Sequence, residues 1–185
     1  NMVYNGKGRV QNGKFTFTFI VPKDIDYRIG KGRLSYYAEN GLTDAAGMDD
    51  AIYIGGAGNG VADDGQGPII KAWLNDEKFV NGGITNETPV LVINLKDSSG
   101  INTVGTGIGH DITATLDNNS NKVFILNDFY EADTGSYQGG KVRFPLSPLE
   151  EGWHSLKIKA WDVFNNSAKN QGKEKHKKKK EKKNR

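Results

Sequence analysis

The sequence predicts an all-β protein. An immunoglobulin-like antiparallel β-sandwich is expected, preceded by the C-terminal part of another β module and followed by a disordered Lys-rich tail. Three observations predict it. Apolar residues alternate with polar ones over short runs, as where Phe15, Phe17 and Phe19 bracket Thr16 and Thr18, which is the period of a half-buried strand. About seven runs between Pro68 and Trp161 are separated by turn signals at roughly 8–12-residue intervals, the spacing of a sandwich. No segment carries an apolar period of 3.6, and 24 glycines with 36% hydrophobic residues suit short strands joined by many turns.

Each element follows from its residues. Residues 15–21 form the first strand, and Pro22 ends it because proline cannot donate to a ladder. Residues 33–38 and 51–54 are further short strands. Residues 55–67 are rich in glycine and acid and read as a flexible connection. It divides a first module (1–62) from the sandwich (63–168). In the second series 69–74 is a strand, Asn75 and Asp76 make a turn, and 78–80 is a short return. A strong strand at 90–96 enters a Gly-rich connection, and an alternating strand at 111–117 leaves it. Strands at 123–126, 141–144 and 153–161 complete the series. A weak internal repeat relates 15–47 to 142–166: strand, proline, glycine-bearing loop, then a strand ending at Ala38 or Ala160. The first copy lacks preceding strands, and the second passes into lysines where a final strand belongs. The sequence is therefore expected to be a piece of a longer protein.

The net charge of +3 hides an asymmetry. Residues 169–185 hold ten Lys/Arg against two Asp/Glu, net +8, leaving fifteen against twenty, net −5, elsewhere. A block of like charge self-repels, so 169–185 is expected to be disordered. No aromatic or basic platform accompanies it, which argues against nucleic-acid binding. No apolar run approaches the ~20 residues of a membrane helix.

The chain has no cysteine, which excludes disulfides, thiolate metal sites and a cysteine nucleophile. His110, His154 and His176 are its histidines. The pair His110–Asp111 invites an acid–base reading. Adjacent strand residues point to opposite faces, however, so His110 is expected to pin the Gly-rich loop instead. His154 sits at a corner before a strand, where sandwiches tie a polar side chain back to the backbone. Gly105, Gly107 and Gly109 lack the strand–turn–helix setting of a dinucleotide fingerprint and read as irregular backbone. Asp44, Asp49, Asp50, Asp63 and Asp64 offer hard oxygens suited to calcium. No EF-hand spacing is present, and solvated turns are the plainer reading. Trp73, Trp153 and Trp161 could stack on sugars, but Trp73 and Trp161 follow the strand alternation, so packing is plainer. No catalytic or cofactor-binding residue emerges.

Several motifs carry a resemblance. They are Phe19-Ile-Val-Pro-Lys-Asp-Ile25 with Tyr27 and Gly30, Ser35-Tyr-Tyr-Ala38, Ile54-Gly-Gly56 and Asn81-Gly-Gly83. Asp97-Ser-Ser-Gly-Ile-Asn102, Gly107-Ile-Gly-His-Asp111, Leu126-Asn-Asp128 and Lys159-Ala-Trp-Asp162 continue them. In this order, over 11–168, the chain resembles the PorU family, the type IX secretion sortases among the gingipain-type cysteine peptidases of Bacteroidetes. The resemblance implies the β-sandwich region C-terminal to the peptidase domain. The family's catalytic Cys and His lie in that domain, and no residue here matches them. It also implies an outer-membrane, cell-surface setting. The implied partners are the peptidase domain of the same parent chain and other type IX translocon subunits. The Lys-rich end departs from the family, where a strand such as Phe-x-Val is expected.

Two functions follow. The resemblance implies a non-catalytic portion of a sortase that, as a whole, cleaves C-terminal secretion signals and attaches cargo to the cell surface. Alternatively it is an autonomous surface adhesin or carbohydrate-binding module. A peptidase domain encoded upstream favours the first, and glycan binding by the isolated chain favours the second.

Overall fold

The computed structural model describes residues 2–58, 62–104 and 109–176. All regular elements there are β-strands except one 3-10 turn, Asn127–Phe129. The N-terminal part opens with a two-residue hairpin turn at Asn12 and Gly13, both at positive φ (50° and 73°). Such a turn matches the twist of paired strands. Gln11 and Lys14 close it with reciprocal backbone bonds of 2.8 and 3.0 Å. The rings of Phe15, Phe17 and Phe19 then follow one another at 6.3 and 6.2 Å. Two strand residues advance by about 6.6 Å. Residues 15–19 are therefore extended, with three aromatic rings on one face. Yet among the described residues they make no backbone hydrogen bond, so the strand expected over 15–21 is not formed and an extended segment stands in its place.

Four short strands complete this part: β1 (Gly30–Lys31), β2 (Leu34–Glu39), β3 (Asp44–Asp49) and β4 (Tyr53–Ile54). β1 pairs with β4 and β2 with β3, all antiparallel. β2 and β4 were expected, the latter longer. β3 was not, because Asp-Ala-Ala-Gly-Met-Asp shows no alternation and all six residues are exposed. The turn before it supplies the pairing: Asn40 Oδ1 accepts from the N–H groups of Leu42 and Thr43, both at 2.9 Å.

The sandwich holds the core. Its strands are β5 (Ile69–Leu74), β6 (Ile84–Thr85), β7 (Val90–Lys96), β8 (Thr113–Leu116), β9 (Val123–Ile125), β10 (Tyr130–Ala132), β11 (Gly139–Pro145), β12 (Gly152–Trp161) and β13 (Ser167–His176). One sheet has the order β10-β11-β7-β5, the other β6-β13-β12-β8-β9. β7 is central, with Leu91, Ile93 and Leu95 almost wholly buried against Leu156, Ile158 and Ala160 of β12 and Val142 of β11. The small β6 and β10 escaped the sequence reading. The expected return at 78–80 is a turn, closed by the bond from Phe79 N–H to Asp76 O.

The largest correction concerns the end of the chain. Residues 169–185 were expected to be disordered and the last strand missing. Instead β13 pairs with all ten residues of β12, from Trp161↔Ser167 to Gly152↔His176. Backbone pairing needs no apolar side chains, and the inward positions Ala168, Asn170 and Gly172 are small or polar. Asn170 reaches the opposite sheet, donating from Nδ2 to Ile70 O at 2.8 Å. Lys169 faces Lys159, but the Lys159 ammonium lies over the Trp161 ring, 3.9 Å from its centroid, which relieves like-charge opposition. Residues 177–185 lie outside the described residues, as do Gly105 and Gly107.

Candidate functional site

The described polar groups converge where the N-terminal part meets one end of the sandwich. Three sandwich segments form this end: the stretch after β7, residues 109–112, and the β12–β13 turn at 162–166. Asp162 organises the turn. It is fully buried, and its Oδ1 accepts from the N–H groups of Phe164 (3.0 Å) and Asn166 (2.7 Å) while Oδ2 accepts from Asn166 Nδ2 (2.9 Å). A side chain that mimics the turn in this way lets Asn165 take its positive φ of 72°.

Against this end sits Asp24, whose side chain is only 7% exposed. Oδ2 accepts from Asn102 Nδ2 at 2.8 Å and contacts His110 Nδ1 at 2.7 Å, and Oδ1 accepts from Asn165 Nδ2 at 2.9 Å. A buried carboxylate needs such a full complement of partners. Lys23 adds a backbone bond to Val163 O at 2.9 Å. Three sandwich segments thus grip one residue of the N-terminal part. His110 therefore pins the junction through Asp24 and forms no dyad with its neighbour Asp111. Its ring also lies 4.3 Å from that of Trp161.

Beside the clamp is an acidic group. Asp63, Asp64 and Asp162 bring carboxylate oxygens within 4.8 Å of one another. Two of the five aspartates singled out in the sequence thus meet a third that was not. Asp44 and Asp49 lie on β3, and none of Asp44, Asp49 and Asp50 joins the group. Its charge is already met from the protein. Lys23 Nζ is 3.1 Å from Asp63, Asn166 Nδ2 is 2.7 Å from it, and Ser98 Oγ donates to Asp64 at 2.6 Å. Hydrogen bonds, first from Asn166 to Asp63 and from Ser98 to Asp64, hold both carboxyls below the ordinary range. Asp97 behaves oppositely. Burial pushes its carboxyl up to about 6, and repulsion from Asp162 and Asp64 adds to this against the Ser99 N–H that it accepts. Three oxygens could hold one edge of a calcium shell that needs six or more.

The remaining sites are structural. His154 contacts Asp117 Oδ2 through Nδ1 (2.9 Å) and Glu150 O through Nε2 (2.8 Å). Both ring nitrogens are occupied, and neither faces a hydroxyl nucleophile. Burial lowers its pKa, but the Glu150 carbonyl and the Asp117 carboxylate outweigh burial, and the net shift is upward. This is the corner tie expected of it. Trp73 and Trp161 lie on β5 and β12 and are half-buried, whereas Trp153 is mostly exposed. Asp24, Asp97 and Asp162 stand in the quoted motifs but were not read as site residues. The signal for Asp162 was there: an Asp before Asn165 and Asn166 is a turn in waiting.

A solved structure shares this architecture. The crystal structure of a dimeric, latent PorU from Porphyromonas gingivalis matches 90% of the chain at 33% identity and a TM-score of 0.61. The chain resembles a segment of PorU. It spans 16% of the length of that PorU chain. No family model matches the sequence, and no curated protein matches it. No helix among the described residues is long and apolar enough to cross a membrane.

Proposed function

We propose that this chain is the non-catalytic β-sandwich portion of a PorU-like type IX secretion sortase at the outer-membrane surface. The observation that carries the reading is the 33% identity to PorU over 90% of the chain together with the shared fold. As a whole, the parent protein cleaves C-terminal secretion signals from cargo and attaches the cargo to the cell surface. A chain without cysteine contributes no cysteine nucleophile to that work. Its role is to hold the peptidase domain and to dock translocon subunits. The Asp24 clamp suits the task, because a scaffold must transmit a fixed orientation between the modules it joins.

The test joins the coding locus to an assay. The polypeptide that contains these residues is expected to carry a gingipain-type peptidase domain with its Cys and His. Deleting 68–176 from it should abolish removal of the C-terminal signal from cargo in cells. A reading frame without such a domain refutes the proposal, as does undiminished cargo processing by the deletion variant. Specific glycan binding by the isolated chain would support the adhesin reading instead.

A further inference from the structure

Residues 15–21 expose aromatic rings and make no backbone ladder among the described residues. Phe15 and Phe17 remain 47% and 40% exposed, an apolar area that burial would stabilise. The Asn12–Gly13 turn sends the preceding residues back alongside, where Tyr4 stacks on Phe19 at 4.4 Å. A groove of about 260 Å³ is lined by Phe15, Phe17, Phe19, Leu34 and Tyr36. Its other wall is β2, which among the described residues bonds only to β3. Residues 3–8 line it as well, so the aromatic groove lies between an extended, unpaired segment and the open edge of β2.

The chemistry selects the occupant. Phe-Thr-Phe-Thr-Phe-Ile-Val contains no charge and no proline, the residues that guard edges meant to stay open. By contrast β13, which meets β6 over only two residues, has three lysines within Ser167–His176. Segment 15–21 is therefore written for permanent cover. Flat sugars do not suit it, because successive rings are nearly parallel (16° and 13°) and turn their faces toward each other. What fits is a strand with apolar residues at alternate positions, bonded to the free backbone.

We propose that residues 15–21 are completed by strand addition from a segment of the same polypeptide lying outside these 185 residues. This rests on the sortase reading, under which most of the polypeptide lies elsewhere, as 84% of the matched PorU chain does. The experiment compares Thr18→Pro in the 185-residue chain and in the full polypeptide. Proline removes a ladder donor only where a ladder exists. The melting temperature should stay within about 1 °C in the short chain and fall by about 4 °C or more in the long one. A photo-crosslinking p-benzoylphenylalanine in place of Thr16 should link, within one polypeptide, to a segment outside 1–185. Equal effects of Thr18→Pro in both chains overturn the proposal. So does a link to a second copy, to another protein, or only within 1–185. A polypeptide without a peptidase domain whose link still lands outside 1–185 refutes the sortase reading and leaves strand addition standing.

Discussion

Replacing Asp97 by Asn should stabilise the protein near neutral pH and do nothing in acid. Asp97 is 9% exposed, and its carboxyl is pushed from 3.8 up to about 6 by burial, with the neighbouring Asp162 and Asp64 adding to the rise. A carboxyl whose folded pKa is raised contributes stability that is full below its unfolded value of about 3.9 and is lost as pH rises through the folded value. Two units correspond to about 3 kcal/mol. Asparagine keeps an oxygen for the Ser99 N–H, now at 2.8 Å, but forfeits the charge-assisted part of that bond. The net gain at pH 7.5 should be about 1–2 kcal/mol, or about 3–6 °C in melting temperature for a chain of this size. Thermal unfolding followed by circular dichroism from pH 4 to pH 8 measures it. The variant and the parent should converge at pH 4 and separate between pH 4 and 6. Equal gains at pH 4 and pH 7.5 would refute the linkage argument. A loss at pH 7.5 would mean that the carboxylate meets a positive charge.

Asp24→Ala should cost about 2–3 kcal/mol by orphaning the donors of Asn102 and Asn165, read by urea unfolding, with Asp24→Asn costing less. His154 has a raised pKa, so its contribution is complete below about pH 6.5 and is lost as pH rises through its folded value. His154→Gln should flatten the stability profile just above pH 6.5 and leave the acid window of Asp97 untouched. Because Lys23 and Asn166 already serve Asp63, millimolar calcium and EDTA should give the same melting temperature, and a rise of more than about 2 °C in calcium would show a bound ion. Ile93→Ala, in the middle of β7 with no exposure, should cost about 2–5 kcal/mol.

The sandwich was legible where side chains alternate or run apolar. β5 and β7 have the bounds read from the sequence, because Ile69–Leu74 and Val90–Lys96 carry their burial in their composition. β3 and β13 were not legible, for a shared reason. Their order comes from backbone pairing and from side-chain turns at Asn40 and Asp162, and neither leaves an apolar period behind. The error at 15–21 was the reverse. Alternation there announced a strand, but it could not reveal that ladder partners are lacking among the described residues, so no strand forms. At the junction, His110, Asp63 and Asp64 were singled out in the sequence. Asp24 and Asp162 were missed because carboxylates that serve donors 78 and 141 positions away, or that close a turn, look like any other acid in the sequence.

The turn at Asp162 also has a consequence for how the chain reaches its fold. β12 and β13 form ten consecutive pairs across the five residues 162–166, so this hairpin requires almost no loop closure. The ladders of β7 with β11 and of β8 with β12 join residues about 40–55 positions apart. Closing such loops costs chain entropy before any contact rewards it. The hairpin should therefore form early and offer β8 and β5 a surface on which to dock. Removing the Asp162 carboxylate should slow refolding in stopped-flow experiments, whereas a change confined to β10, at the far edge of the other sheet, should act chiefly on unfolding. One buried aspartate then governs the order of assembly as well as the geometry of its end point.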